Sequence, residues 1–213
     1  MGSIMAKNLL WQLIVKGGIV MWPIILGSVM GLAIVIERFW VFGKAKSGSI
    51  EFENKVLEFI RQGKFDQAKE LCDEKPDYLM SNIYKTGIDK RDLSPERLEK
   101  VLEQAGNNHV HKLEKHLGAL ATVITVEPML GFLGTITGLI NAFMSWEKAG
   151  ASVTVTALAG GIYEAMITTA AGLIVAIPFS LCFNYFVSRI KYIANDLNNS
   201  SLELLGVFSE QKR

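Results

Sequence analysis

Residues 129–143 read MLGFLGTITGLINAF, and this stretch decides the fold. It contains no charged residue, which suits it to the hydrocarbon of a bilayer. It also contains three glycines, two threonines and an asparagine, where a simple membrane anchor would contain leucines. Helices in lipid associate where small residues allow their backbones to approach closely. We therefore predict a membrane-spanning helix that packs against other helices along a glycine-rich face.

Two further apolar runs accompany this stretch in a chain of 213 residues, of which 50% are hydrophobic and 20% charged. The three runs cover 17–36, 117–146 and 164–188; Glu127 lies inside the second run and Glu164 is the first residue of the third, and no other residue in them is charged. A helix needs about 20 apolar residues to cross about 30 Å of hydrocarbon. The first run is long for a signal peptide and lacks a small-residue cleavage site. We predict an all-α membrane protein with three transmembrane helices and long cytoplasmic helical extensions.

The positively charged residues predict the orientation of these spans. Of 22 lysines and arginines, 15 lie in residues 38–116 and one lies in residues 147–163. Cytoplasmic loops carry an excess of such residues. The predicted order is an external N-terminal segment (1–16), span one (17–36), a cytoplasmic helical region (37–116), span two (117–146), a short external link (147–163), span three (164–188) and a cytoplasmic C-terminal helix (189–213).

The cytoplasmic region has helical periodicity in three short segments, beginning with IEFENKVLEFIR at residues 50–61. Segments FDQAKELCDE and MSNIYKTGI follow after Gly63 and Pro76. Ser94, Pro95 and Glu96 then predict a helix start, with a serine cap and a first-turn proline. Because no breaker follows, we expect one helix from Pro95 through span two, about 50 residues and about 75 Å long. Span three should also continue into the cytoplasm.

Small and weakly polar residues form one stripe on each of the last two spans. Steps of three or four place these residues on one helix face. The stripe of span two contains Pro128, Gly131, Thr135, Gly138, Ala142 and Ser145, with Gly134 completing a GxxxG pattern, and that of span three contains Thr169, Gly172, Ala176 and Ser180. Such stripes suit a narrow central cavity formed by several copies, or a seat for another helix. Close packing of helices is the simpler alternative.

Two carboxylates, Glu127 and Glu164, lie in or beside the spans. Carboxylates inside a membrane are costly and usually functional. We predict that both belong to a polar pathway with Thr135 and Thr169, although Glu164 also fits an ordinary interfacial residue. Neither carboxylate lies at the middle of a stripe. If protons pass here, another protein should supply the central carboxylate.

Other chemistry has little support in the sequence. His109 and His116 share a helix face but are seven residues apart, too far to chelate one metal ion together. Cys72 and Cys182 have no CxxC companion, so we expect two free thiols. The net charge of +1 gives no reason to expect nucleic-acid binding. We predict no catalytic residues, no metal, no cofactor and no enzymatic activity.

Three segments resemble the spans of a known family. EPMLGFLGTITGLINAF (127–143) and GGIYEAMITTAAGLIVAIPFSLCFNYF (160–186) are similar to the second- and third-span signatures of the MotA/TolQ/ExbB proton-channel family. VMWPIILGSVMGLAIVIERFWVF (20–42) resembles its first span. The layout looks like the three-span ExbB and TolQ rather than the four-span MotA.

The resemblance implies a homopentamer in the bacterial inner membrane, with the external segments in the periplasm. Spans two and three would line a pore occupied by a dimer of a single-span protein similar to ExbD or TolR, which carries the missing aspartate. A TonB- or TolA-like protein would be a further partner. The implied function is a stator subunit that uses the proton-motive force, most simply for TonB-dependent outer-membrane transport. TolQ-like maintenance of the outer membrane, a motility stator, and a passive membrane scaffold are the alternatives.

The resemblance also implies roles for individual residues. Thr135 and Thr169 would face the pore, and Glu164 would be the acidic residue at its outer mouth. Pro128 and Pro178 would bend their helices. Glu127 departs from the family pattern, which has a small apolar residue there; it would add a proton acceptor or bind a basic residue of a partner.

Overall fold

The computed structural model describes residues 12, 14–45, 48–149 and 155–211, and the regular elements in these ranges are α-helices. Three helical stretches are long and apolar enough to cross a membrane, namely Met21–Lys44, Pro95–Lys148 and Ala159–Gln211. The helices are α1 (Met21–Lys44), α2 (Ile50–Arg61), α3 (Phe65–Glu74), α4 (Leu79–Asp89), α5 (Pro95–Glu114), α6 (Leu117–Ala149) and α7 (Val155–Gln211). The predicted all-α fold class with three apolar helices is confirmed, including the long helical extension of span three within α7.

Local chemistry explains where the short helices begin. The Ser49 hydroxyl accepts a hydrogen bond from the backbone N–H of Phe52 at 3.2 Å, which caps the start of α2. Ser94 occupies the N-cap position of α5, but its hydroxyl makes no capping bond to the helix backbone, contrary to our expectation. Pro95 still favours this start, because its fixed φ and missing N–H are harmless in a first turn.

The prediction of one continuous helix from Pro95 was wrong at a single point. Helix α5 ends at Glu114 and α6 begins at Leu117. Lys115 is extended, with φ −50° and ψ 137°, and His116 has a φ of 64° in the left-handed region. The buried Arg38 guanidinium donates to the carbonyl oxygens of Lys112 (3.3 Å) and Leu113 (3.1 Å). These bonds satisfy two of the carbonyls that the end of α5 leaves open.

The chain divides into two compact units, and the first contains the spans. It consists of residues up to Ile36 together with His116–Asn184. Val20, Met21 and Ile24 of the first span pack against apolar residues of α6 and α7, namely Leu130, Ile167, Ala171 and Val175. Many large apolar side chains on the outer faces of these helices are exposed, including Trp22, Leu26, Phe132 and Ile174. Such faces are typical of helices that contact lipid or other subunits.

The second unit consists of Glu37–Lys115 and Tyr185–Arg213. Helices α2 to α5 pack there with the C-terminal part of α7. The buried side chains of this core include Phe52, Val56, Ile60, Ile83, Leu102, Ile193, Leu197 and Leu204. The short helices predicted between residues 50 and 88 are therefore confirmed, and their apolar faces form an ordinary hydrophobic core.

Candidate functional site

Two threonine hydroxyls join α6 to α7 within the first unit. The Oγ1 atoms of Thr135 and Thr169 lie 2.5 Å apart. Thr135 Oγ1 also lies 3.3 Å from the carbonyl oxygen of Gly131 and 3.5 Å from that of Ala165. Thr169 Oγ1 lies 3.2 Å and 3.1 Å from the same two oxygens. The structure thus brings together the two threonines that the sequence analysis selected from separate spans.

This arrangement has more acceptors than protons. Two hydroxyls hold two protons, whereas the carbonyls of Gly131 and Ala165 and the hydroxyls themselves all accept. If one threonine donates to the other, the second must donate to a carbonyl. Rotation of both hydroxyls exchanges which threonine donates and which accepts. The pair can therefore accept a hydrogen bond from an external group, and can donate one only if a hydroxyl releases its internal acceptor.

Glycines and alanines allow this close approach of α6 and α7. A β-carbon added at Gly138 would lie 2.7 Å from the carbonyl oxygen of Gly161 and 2.9 Å from the backbone nitrogen of Ala165. One added at Gly172 would lie 2.5 Å from the carbonyl oxygen of Glu127. We call this contact the α6–α7 seam; it is formed by Gly131, Gly134, Gly138 and Ala142 of α6 with Gly161, Ala165, Thr168, Thr169 and Gly172 of α7.

Thr168 is a seam residue whose position the sequence did not reveal. It is fully buried, and its side chain fills the space left by Gly134. Its hydroxyl donates to the carbonyl oxygens of Ala165 at 3.0 Å and Glu164 at 3.2 Å, both in its own helix. The Gly134 notch was the available signal, because a missing side chain on one helix must be filled by its neighbour.

The remaining stripe residues are placed as follows. Ala176 is buried, Ser180 is partly buried and Ser145 is exposed. Pro128 and Pro178 lie inside α6 and α7, where each removes one backbone donor without ending its helix. Their role in bending the helices stays a prediction.

Glu164 lies apart from the threonine pair. Its partly buried side chain packs against Gly18, which has a φ of 68° just before α1, and a β-carbon there would collide with the Glu164 carboxyl group. Nearby, the Lys16 ammonium lies 5.3 Å from the centre of the Tyr163 ring. Polar and charged groups therefore gather at this end of the spans, which is consistent with a membrane–water boundary.

The carboxyl group of Glu127 is buried between α6 and α1. Its side chain points at Gly27 of α1 and is only 1% exposed. The Oε2 atom has no hydrogen-bond partner among the described residues. The sequence analysis grouped Glu127 with the pore-lining residues, whereas the structure places its carboxyl group against span one.

Burial changes the pKa of titratable groups in the described part of the second unit. Burial raises the pKa of the Cys72 thiol to about 12; the charge of Lys85 lowers this pKa slightly, and the charge of Asp73 raises it slightly. Burial also raises the pKa of Glu53, although a hydrogen bond from Ser200 opposes this. Cys72 and Cys182 are free thiols. Within the described ranges, no group of three or more histidine, cysteine or acidic residues could hold a metal ion.

The fold and the site together define a class of protein: a multi-span α-helical membrane protein whose second and third spans meet along a glycine–threonine seam. Residues 75–199 match the family model described as MotA/TolQ/ExbB proton channel family.

Individual relatives agree with this match. The chain is 32% identical over 196 residues to a putative biopolymer transport protein ExbB-like 1 of Synechocystis, covering 89% of this chain and 76% of the relative. It is 28% identical to a Tol-Pal system protein TolQ of Haemophilus influenzae, covering 86% and 85%. It is 35% identical to a biopolymer transport protein ExbB of Xanthomonas campestris, covering 49% and 44%. The chain belongs to the MotA/TolQ/ExbB proton channel family.

Proposed function

We propose that this chain is the channel-forming subunit of a complex in the bacterial inner membrane that converts the proton-motive force into mechanical work on the cell envelope. The observation that carries the proposal is the Thr135–Thr169 pair. Two hydroxyls, 2.5 Å apart on a seam of glycines and alanines, offer reversible hydrogen bonding at the centre of two apolar helices.

The proposed assembly is a homopentamer around a dimer of a single-span partner of the ExbD or TolR type. The partner is required because the threonine pair has no carboxyl group of its own. Its aspartate would accept a proton, exchange hydrogen bonds with Thr135 and Thr169, and release the proton on the other side. Glu164 would act at the outer mouth of the pore. One charge crossing 100 mV supplies about 2.3 kcal/mol, so a few protons can drive a helix past its neighbours.

The proposed orientation places the N-terminus in the periplasm and the second unit in the cytoplasm. This follows from the 15 of 22 lysines and arginines in residues 38–116, because positively charged loops stay inside.

The envelope process that we propose is TonB-dependent transport across the outer membrane. The similarity to proteins named ExbB or ExbB-like supports this choice, and the similarity to a TolQ protein supports outer-membrane maintenance as a second candidate. A passive scaffold is the candidate of another class. It predicts that removing the threonine hydroxyls changes only stability.

The test is Thr169→Val in a strain lacking the chromosomal copy. Valine keeps the shape and removes the hydroxyl, so we expect normal assembly on native gels. We expect a loss of output of about threefold to twentyfold, since one hydrogen bond between membrane helices contributes roughly 0.6–1.7 kcal/mol. Growth under iron limitation measures TonB-type output, and sensitivity to detergent measures TolQ-type output.

Two variants control this experiment. Thr169→Ser keeps the hydroxyl and should retain output. Thr137→Val removes a hydroxyl that bonds within α6 to the carbonyl of Gly134, so it should also be tolerated. Full output from Thr169→Val, with both controls active, would exclude the proposed role of the pair and favour the scaffold.

A further inference from the structure

Glu127 is an unusual residue for the interior of a membrane protein, because it is buried and incompletely bonded. Its side chain is 1% exposed and Oε2 has no hydrogen-bond partner among the described residues. Burying an unpaired carboxylate is very costly, and such groups normally become neutral instead. The neutral acid would avoid this cost.

No neighbouring charge relieves this cost. Span one has no titratable side chain between Lys16 and Glu37, and α6 has no other between His116 and Glu147. On α7, the stretch between Glu164 and Arg189 contains only Cys182 and Tyr185 as titratable residues. None of the helices packed around Glu127 thus supplies a cation at its level.

The space around the carboxyl group is built by glycines on two sides. A β-carbon at Gly27 of α1 would lie 3.1 Å from the carboxyl carbon of Glu127 and would collide with Oε1. A β-carbon at Gly172 of α7 would lie 2.5 Å from the Glu127 carbonyl oxygen. The carboxyl group therefore occupies a notch in span one, while its own backbone is pressed against span three.

We propose that Glu127 is a proton-binding site of this chain, separate from the Thr135–Thr169 pair and formed where spans one, two and three meet. It lies two helical turns from Thr135 in sequence, about 12 Å along α6, and its carboxyl group points to α1. The ligand is a proton, bound as the neutral carboxylic acid. Release of that proton leaves a negative charge, so it requires entry of water or arrival of a cationic group at the Gly27 notch.

The experiment is infrared spectroscopy of the purified full chain in liposomes at neutral pH. A protonated carboxyl group has a carbonyl-stretching band that a carboxylate lacks. We expect the wild-type spectrum minus the Glu127→Gln spectrum to contain this band, and the Glu164→Gln variant to retain it. A difference spectrum with carboxylate bands alone would overturn the proposal, because it would show that Glu127 is ionised and balanced by a cation.

A second comparison uses variants that keep the carboxyl group. Gly27→Ala places a methyl group where Oε1 lies, so we expect the band to shift or disappear. Gly31→Ala is its matched control, because a β-carbon there meets the Phe179 ring instead. An unchanged carbonyl-stretching band in Gly27→Ala would show that the carboxyl group of Glu127 does not lie against Gly27. These readouts need no partner and no proton flux, so their outcome is separate from that of the Thr169→Val test.

Discussion

At the scale of single residues, the seam separates two kinds of threonine. Thr168 is fully buried and donates only to carbonyls of its own helix, so its role is to fill the Gly134 notch. Thr135 and Thr169 are partly buried and bridge two helices. The adjacent residues Thr168 and Thr169 thus differ: Thr168 fills space in the seam, and Thr169 forms hydrogen bonds between α6 and α7. Helical steps placed Thr169 on the stripe of span three, but nothing in the sequence analysis assigned Thr168 to the Gly134 notch.

The Cys72 thiol provides a residue-scale test of the second unit. Burial raises its pKa to about 12 from 9.0, and the thiolate is the reactive form. We therefore expect Cys72 to resist alkylation by iodoacetamide at mildly alkaline pH in the folded protein and to react after addition of denaturant. Peptide mass spectrometry separates its modification from that of Cys182.

The raised pKa of Cys72 also predicts how the stability of the folded protein changes with pH. Above pH 9.0 the thiol of the unfolded chain ionises, whereas the folded thiol stays protonated until about 12. The unfolded state therefore gains stability as the pH rises through this window, and the contribution of Cys72 to folding declines. Rapid alkylation of the native protein near neutral pH would contradict the burial of Cys72.

At the scale of helices, the glycines of α6 fall into two groups. Gly131, Gly134 and Gly138 face α7 at close range, whereas a β-carbon at Gly118 would meet no atom within 4 Å. Since all four lie in one helix, their difference arises from contact with α7 and not from helix propensity.

The matched pair Gly138→Ala and Gly118→Ala tests this distinction. At Gly138 the new methyl group must push the backbone of α7 away, and overpacking of this kind costs about 1–3 kcal/mol. At Gly118 alanine should be neutral or stabilising by up to about 1 kcal/mol, because glycine is the poorer helix former. Thermal unfolding in detergent measures both. Equal thermal stabilities of the two variants would show that the close approach of α6 to α7 at Gly138 does not stabilise the protein.

Helical periodicity and apolar length were sufficient to predict the main helices and to place Thr135 and Thr169 on the small-residue stripes of two spans, whereas the contact between the two hydroxyls was not predicted. The break at Lys115 and His116 was not predictable from local sequence, because neither proline nor glycine marks it. Arg38, whose guanidinium donates to the backbone carbonyl of Lys112 beside this break, lies 74 residues earlier in the chain. The direction of the Glu127 side chain was equally hidden, since it depends on the absence of a side chain at Gly27.

At the scale of the whole molecule, the spans have more apolar surface than one chain can cover. Phe132, Leu133, Ile136 and Ile140 of α6 are exposed, and so are Leu173, Ile174 and Ile177 of α7. Lipid can cover part of this surface. Because the exposed residues occur on both helices that form the seam, we expect additional copies of the chain to cover the rest.

Native mass spectrometry of complexes purified from native membranes in mild detergent tests this expectation. We predict five copies of the chain with two copies of a small single-span protein that carries an aspartate in its membrane segment. The stoichiometry follows from the proposed function, in which the threonine pair requires a carboxyl group from outside the chain. Expression at endogenous level matters, because excess subunit would assemble without its partner.

The alternative results have different physical meanings. A pentamer that never contains a second protein would leave Glu127 as the only membrane-embedded carboxyl group within α6, and the chain would then be a self-sufficient channel or a scaffold. A monomer would mean that lipid covers all the exposed apolar faces and that no pore exists. A pentamer whose partner lacks a membrane aspartate would keep the assembly but remove the proton acceptor. Only a partner with that carboxyl group gives the Thr135–Thr169 hydroxyls a titrating group to exchange hydrogen bonds with.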